Sequence, residues 1–198
     1  MGLLQNLIEQ SRLPHGITGR LMLKIMNNAH KGLTLWGVEK LTAGKNVLDV
    51  SCGGGGAIRL LAESGKFQHV YGIDLSLEAV TLSTKYNQRL IDRGIVTIGK
   101  SSVLELPFED AFFDAIVTFQ SHYHWPNILQ AVREIHKKLT PGGQFVLVAE
   151  KYKIEYHMKE YNTAQLTTKL LRDSGFRTVQ LFENRRHVCA MGSKEPYL

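Results

Sequence analysis

The sequence predicts an α/β protein built on a doubly wound, mostly parallel sheet, and three observations carry that prediction. From residue 45 onward short apolar runs alternate with helical patterns, an order that sets helices on both faces of a parallel sheet. The first run, in VLDVSCGGGGAI at 47–58, passes through four consecutive glycines into the helical spacing of Ala57, Ile58, Leu60 and Leu61, which marks a tight strand-to-helix turn. The last two runs are joined only by NRR, too short for a crossover, so they form an antiparallel hairpin on an otherwise parallel sheet.

Residues 1–45 stand outside the alternation. They read as helices separated by RLPHGITG, with Leu21, Met22, Ile25, Met26 and Ala29 as an apolar stripe. Strands follow at NVLDVS, HVYGIDL, VTIGKS, FDAIVTFQ and GQFVLVAE, with helices starting near Gly56, Ser76 and Pro126 between them. The last of these helices is the clearest, because Ile128, Leu129, Val132, Ile135 and Leu139 recur at three- and four-residue steps before TPGG stops it. The tail adds a helix, TAQLTTKLLRDSG, and the strands RTVQLFE and HVCAMGS, for seven strands in all.

A chain of 198 residues with 43% hydrophobic and 21% charged residues is expected to form one domain over 1–198. The formal net charge of +6 would suit an anionic partner, but the basic residues are scattered, REIHKK and ENRRH being their densest clusters. Nucleic acid is therefore disfavoured. Cys52 and Cys189 form no CxxC pair, so neither a disulfide framework nor a zinc site is signalled and a reducing, cytoplasmic setting fits. MGLLQN lacks the Ser or Thr of a myristoylation signal, and no secretory peptide or run of membrane-spanning length is present.

In open parallel sheets ligands gather at the carboxyl ends of the strands, near the point where strand order reverses, and the first strand with its glycine turn marks that place. Asp74 closes the second strand 21 positions after Gly53, where a carboxylate accepts hydrogen bonds from ribose hydroxyls. Ser76 has the character of a helix cap, and a capping carboxylate is the structural alternative for Asp74 itself. The dinucleotide fingerprint G-x-G-x-x-G/A is not met, because counting from Gly53 reaches Ile58 and counting from Gly54 reaches Arg59. A ribose ligand without pyrophosphate fits better, since it needs less from a helix N-terminus.

Four segments in order, VLDVSCGGGG, YGIDLS, LELPFEDAFFDAIVTF and VREIHKKLTPGGQFVLV, resemble class I S-adenosylmethionine-dependent methyltransferases, and their wording is similar to the group that includes the ubiquinone and menaquinone C-methylases. The resemblance covers about residues 45–150. It implies a Rossmann-like sheet in the order 3-2-1-4-5-7-6 with one antiparallel strand, S-adenosylmethionine as cofactor, and S-adenosylhomocysteine as product. By the same resemblance Asp49 orients the glycine turn or meets the methionine ammonium, Gly53 and Gly55 let the backbone approach the cofactor, Asp74 holds the ribose and Leu75 packs on adenine. Ser51, Cys52, Val103 and Gln120 complete the expected cofactor set. Ser51 stands where the family usually has its first glycine, and Ser102 where an acidic residue usually meets the adenine amino group; the second departure predicts weakened cofactor affinity. Asp49 could equally satisfy turn amides, and Cys52 reads as a packed small residue rather than a nucleophile.

Methyl transfer from a sulfonium is an in-line displacement, so the protein aligns the acceptor and, for oxygen or carbon acids, removes a proton. QSHYHW after the fourth strand supplies His122 and His124 as candidate bases and Tyr123 and Trp125 as candidate acceptor contacts; packing or capping is the alternative for the histidines. Two histidines without a third ligand do not signal a metal. The stretch lacks the D/N-P-P-Y/F turn of amino-methyltransferases. Residues 151–162 leave no room for an inserted substrate domain, so residues 1–45 are expected to form a helical lid, with His30, Trp36 and the Met22/Met26 stripe placed over the site; core packing is the favoured role for the two methionines, and simple burial the alternative for His30 and Trp36. An amphipathic lid could also meet a lipid surface. The expected acceptor is a small molecule, aromatic or lipid-like. Three rivals stand beside this reading: a dinucleotide oxidoreductase, disfavoured by Ile58 and the absence of a Tyr-x-x-x-Lys pattern; a non-enzymatic adenosyl-ligand sensor or partner-binding module; and an RNA methyltransferase, favoured by charge alone.

Overall fold

The computed structural model describes residues 16–195. Among these residues two helices, α1 (Gly16–Ala29) and α2 (Lys31–Lys40), precede the first strand, β1 (Gly44–Val50). The alternation then runs α3 (Gly56–Glu63), β2 (Phe67–Asp74), α4 (Leu77–Asp92), β3 (Val96–Lys100) and β4 (Phe113–Phe119). After a short 3-10 turn at His122–His124 come α5 (Ile128–Lys138), β5 (Leu139–Glu150), α6 (Lys151–His157), α7 (Ala164–Asp173), β6 (Thr178–Glu183) and β7 (His187–Ser193).

The strands lie in the order β3-β2-β1-β4-β5-β7-β6, the order the resemblance implies. β1 pairs in parallel with β2 and β4, and β7 runs antiparallel to both β5 and β6. Order reverses at β1, so the carboxyl ends of β1, β2 and β4 open a crevice there.

Strand periodicity divides the core between the two faces. Val47 packs with Ile58, Leu61, Val117, Val146 and Val148, while its neighbour Leu48 packs on the other face with Ile116, Ile135, Leu147 and Phe176. Burying such side chains contributes roughly 1.5–3 kcal/mol each. Helix starts are fixed by side-chain caps: Ser76 accepts from Ala79 N, Asn127 from Gln130 N and Thr163 from Leu166 N.

The expected elements differ from the observed ones at four places. The helix α1 already begins at Gly16, inside the stretch read as a spacer; the remainder of that spacer, and the first of the expected helices, lie outside the described residues. The apolar stripe is displaced, for Leu21 and Ile25 are 59% and 57% exposed whereas Leu23 is buried. The inward face of α1 carries the polar Asn27 beside Leu23 and Met26, which hides it from a hydrophobic pattern. α5 ends at Lys138, and TPGG belongs to β5, where pairing with β4 shifts register between Phe113 and Ala115 and Gly142 takes φ +79°. Residues 151–157, read as a connection, form α6. Among the described residues no helix is long and apolar enough to cross a membrane.

Candidate functional site

A cavity of about 530 Å³ occupies the crevice at the strand ends and is roofed by Leu23, Met26, Asn27, His30 and Thr34 of the N-terminal helices. Its floor is the turn after β1. Asp49 in that strand is 1% exposed, and its Oδ2 is buried without a hydrogen-bond partner among the described residues. Burial, and then the nearby Asp74 carboxylate, push its pKa well above the ordinary carboxylate range. Asp74 closes β2 and is tied on both sides: Gly53 N donates to Oδ2 and Ser76 N to Oδ1, each at 2.9 Å. Burial raises its pKa against these hydrogen bonds. Asp74 is thus at once a turn ligand and a cavity-lining acceptor with lone pairs to spare.

The four glycines answer to different neighbours. Gly53, at φ +53°, faces the cavity and carries the amide bound by Asp74. Gly54 and Gly56 are small because of Asn27: a Cβ on either would lie about 3 Å from its side chain, whose Nδ2 donates to Gly54 O at 2.9 Å and whose Oδ1 accepts from Gly56 N at 3.3 Å. Gly55 does not line the cavity. At φ +78° it abuts α4, where a Cβ would fall 2.3 Å from Ser83 Oγ, so its role is helix packing.

Ser51 also adopts a left-handed backbone, φ +62°, a conformation costing about 1 kcal/mol in a residue with a Cβ. Its hydroxyl accepts from Trp125 Nε1 at 3.1 Å, a bond that glycine could not make, and Trp125 is thereby held against the cavity. Cys52 lines the turn but is buried, which pushes its thiol pKa well up and leaves it unsuited to nucleophilic attack. Leu75, Ser102, Val103 and Gln120 line the cavity too, and Ser102 Oγ accepts from Leu104 N at 3.2 Å.

The histidines separate. His124 lines the cavity, its ring 4.6 Å from Tyr123 and 4.9 Å from His157. His122 is 1% exposed and outside the lining; burial, then His124, lower its pKa to about 3, so the ring is neutral and neither nitrogen has a partner among the described residues. Tyr123 also lies off the lining, stacked on His157 with centroids 5.1 Å apart, and burial raises its pKa. Trp36 points to the second core face, 6.2 Å from the His187 ring, and Met22 is not at the cavity.

Sequence reasoning missed Asn27 and the group beside Gln120. Gln120, at φ +58°, donates through Nε2 to Glu150 Oε2 at 2.6 Å and accepts from Glu150 N at 2.9 Å. Glu150 pairs with Lys153 at 2.7 Å, and Lys153 Nζ lies 3.4 Å from His30 Nε2. The i,i+3 spacing of Glu150 and Lys153 was the available signal, but it becomes visible only once α6 is known to be helical.

A family model described as a methyltransferase domain matches residues 48–147. The (+)-O-methylkolavelool synthase of Herpetosiphon aurantiacus is 31% identical over 172 residues, covering 78% of this chain and 59% of that protein. The 2-phytyl-1,4-naphtoquinone methyltransferase of Nostoc punctiforme is 29% identical over 114 residues, 57% of this chain and 49% of its own. The chain spans between 32% and 59% of the length of the first curated relatives. In fold it is similar to the putative methyltransferase solved with the Haloferax volcanii Trm112 activator, with a TM-score of 0.74 at 17% identity over 89% of this chain and 94% of that one.

Proposed function

Since the chain belongs to the methyltransferase-domain family, we propose that it transfers a methyl group from S-adenosylmethionine to a small, largely apolar acceptor. The observation that carries the reading is a pair of carboxylates in one cavity, the buried Asp49 and the half-buried Asp74, with the glycine turn between them. A buried carboxylate oxygen without a donor is costly, and a cationic partner relieves both the desolvation and the raised pKa of Asp49. S-adenosylmethionine has an ammonium for Asp49, ribose hydroxyls for the spare lone pairs of Asp74, and an adenine for the surfaces of Leu75 and Val103. Ser102, its oxygen already accepting from Leu104 N, keeps an O–H to offer the ring edge. The donor set therefore suits this cofactor. When bound, the cofactor supplies a methyl group activated on a sulfonium.

The protein's own part is alignment and proton handling. Leu23, Met26, Phe119 and Trp125 give the acceptor an apolar wall, and α1 and α2 act as the lid that excludes water. His124, on the cavity, is the candidate base; His122 is sequestered from it. One relative is named as an O-methylkolavelool synthase and another as a 2-phytyl-1,4-naphtoquinone methyltransferase, which supports a largely apolar acceptor here. The test is transfer of a radiolabelled methyl from the cofactor to hydroxylated aromatics and isoprenoid quinols. Label in an extracted acceptor, abolished in Asp49→Ala, supports the reading; label in none of them, with the cofactor bound, contradicts it.

A further inference from the structure

We infer that His30 is a fixed hydrogen-bond donor, through Nδ1–H, to an acceptor oxygen next to the atom that is methylated. The inference rests on the methyl-transfer reading and narrows its substrate class to acceptors with a neighbouring phenolic or enolic oxygen.

His30 sits at the break between α1 and α2 and lines the cavity. Its Nε2 lies 3.4 Å from Lys153 Nζ. An ammonium has protons to give and no lone pair, so Nε2 is the accepting nitrogen and the neutral ring carries its proton on Nδ1. Lys153 is held in place by Glu150 at 2.7 Å, and Glu150 is locked by its two hydrogen bonds with Gln120. The tautomer is thus dictated from the ends of β4 and β5. Nδ1 makes no hydrogen bond to a described residue.

The charged groups acting on the ring are Lys153 and Glu150. Burial and Lys153 outweigh Glu150 and bring its pKa down to about 4, so His30 is uncharged at neutral pH and a poor base. Donation, not proton removal, is the service it can give. In the transfer step the acceptor atom's electron pair forms the bond to the methyl carbon while the carbon–sulfur pair returns to sulfur. A donor on the attacking atom would oppose that loss of electron density, whereas a donor on an adjacent oxygen fixes the acceptor without hindering it.

Two measurements test the inference. Nitrogen NMR of ligand-free, histidine-labelled protein should show His30, assigned by its loss in His30→Ala, as the Nδ1–H tautomer, and Lys153→Met should convert it to a mixture. In calorimetry on protein saturated with S-adenosylhomocysteine, a naphthalenediol with adjacent hydroxyls should bind about tenfold tighter than the corresponding naphthol. His30→Ala should erase the preference while keeping S-adenosylhomocysteine affinity, and His30→Gln, whose amide retains a donor, should restore most of it. An Nε2–H or charged ring overturns the inference, as does equal affinity for the two probes or no binding of the diol. Failure to bind S-adenosylhomocysteine would instead strike the methyl-transfer reading, while the ligand-free spectrum still judges His30.

Discussion

Asn27 joins the N-terminal helices to the glycine turn, and removing its side chain should loosen the turn without touching a carboxylate. The Asn27→Ala variant loses the bond from Nδ2 to Gly54 O and the one from Gly56 N to Oδ1. At about 1 kcal/mol net for each, the clasp contributes roughly 2 kcal/mol to holding the turn closed. If the cofactor requires the closed turn, that sum corresponds to about a 30-fold loss of affinity, and a bound state that only partly requires closure brings the expected loss to about 5- to 30-fold. The assay is calorimetric titration with S-adenosylhomocysteine. Asn27→Asp is the informative companion: it keeps an oxygen for Gly56 N but sets a second oxygen against Gly54 O, so it should bind at least as weakly as the alanine variant. Affinity within about twofold of the parent in both variants would refute the idea that α1 organises the turn.

Ser51→Gly should relieve about 1 kcal/mol of left-handed strain and lose about as much in the bond from Trp125, leaving stability nearly unchanged. Trp125 should then be more accessible to a fluorescence quencher; unchanged quenching would argue that the serine does not hold the indole. Ser102→Asp keeps an acceptor for Leu104 N and adds one for the adenine amino group, so S-adenosylhomocysteine should bind several-fold tighter, and equal binding would remove Ser102 as a cause of weak affinity. His122 should make the fold acid-sensitive. Its folded pKa of about 3 lies below the ordinary 6.5, so between these values the unfolded chain binds the extra proton and stability, fully present above 6.5, falls with falling pH. The slope approaches about 1.4 kcal/mol per pH unit. His122→Leu sacrifices no side-chain hydrogen bond to a described residue and should show a shallower loss in urea unfolding from neutral to mildly acid pH; parallel losses would contradict the assignment.

Much of the sheet was legible because parallel strands buried on both faces appear as apolar runs, and β1, β2 and β4 announce themselves in that way. The strand-end carboxylates were legible for the same reason, since Asp49 and Asp74 interrupt or close those runs. The N-terminal helices were harder. Their inward face mixes Leu23 and Met26 with Asn27, His30 and Thr34, so hydrophobic periodicity found Met26 but passed over Leu23 and took in the exposed Leu21 and Ile25. His122 and His124 were indistinguishable in sequence, because the 3-10 turn that buries one and turns the other to the cavity leaves no periodic trace. The resemblance gave Gly55 as well as Gly53 a close approach to the cofactor, yet Gly54, Gly55 and Gly56 are made small by Asn27, Ser83 and Asn87, contacts that only the tertiary structure brings together.

The most direct test is calorimetric titration of the protein with S-adenosylmethionine and S-adenosylhomocysteine, with NAD as control, repeated on Asp74→Ala. Asp74 holds the Gly53 amide and lines the cavity, so both adenosyl ligands should bind saturably, NAD should not, and the variant should lose binding while still unfolding cooperatively. Preference for NAD, no binding of either adenosyl ligand, or undiminished binding by a folded Asp74→Ala would contradict the account.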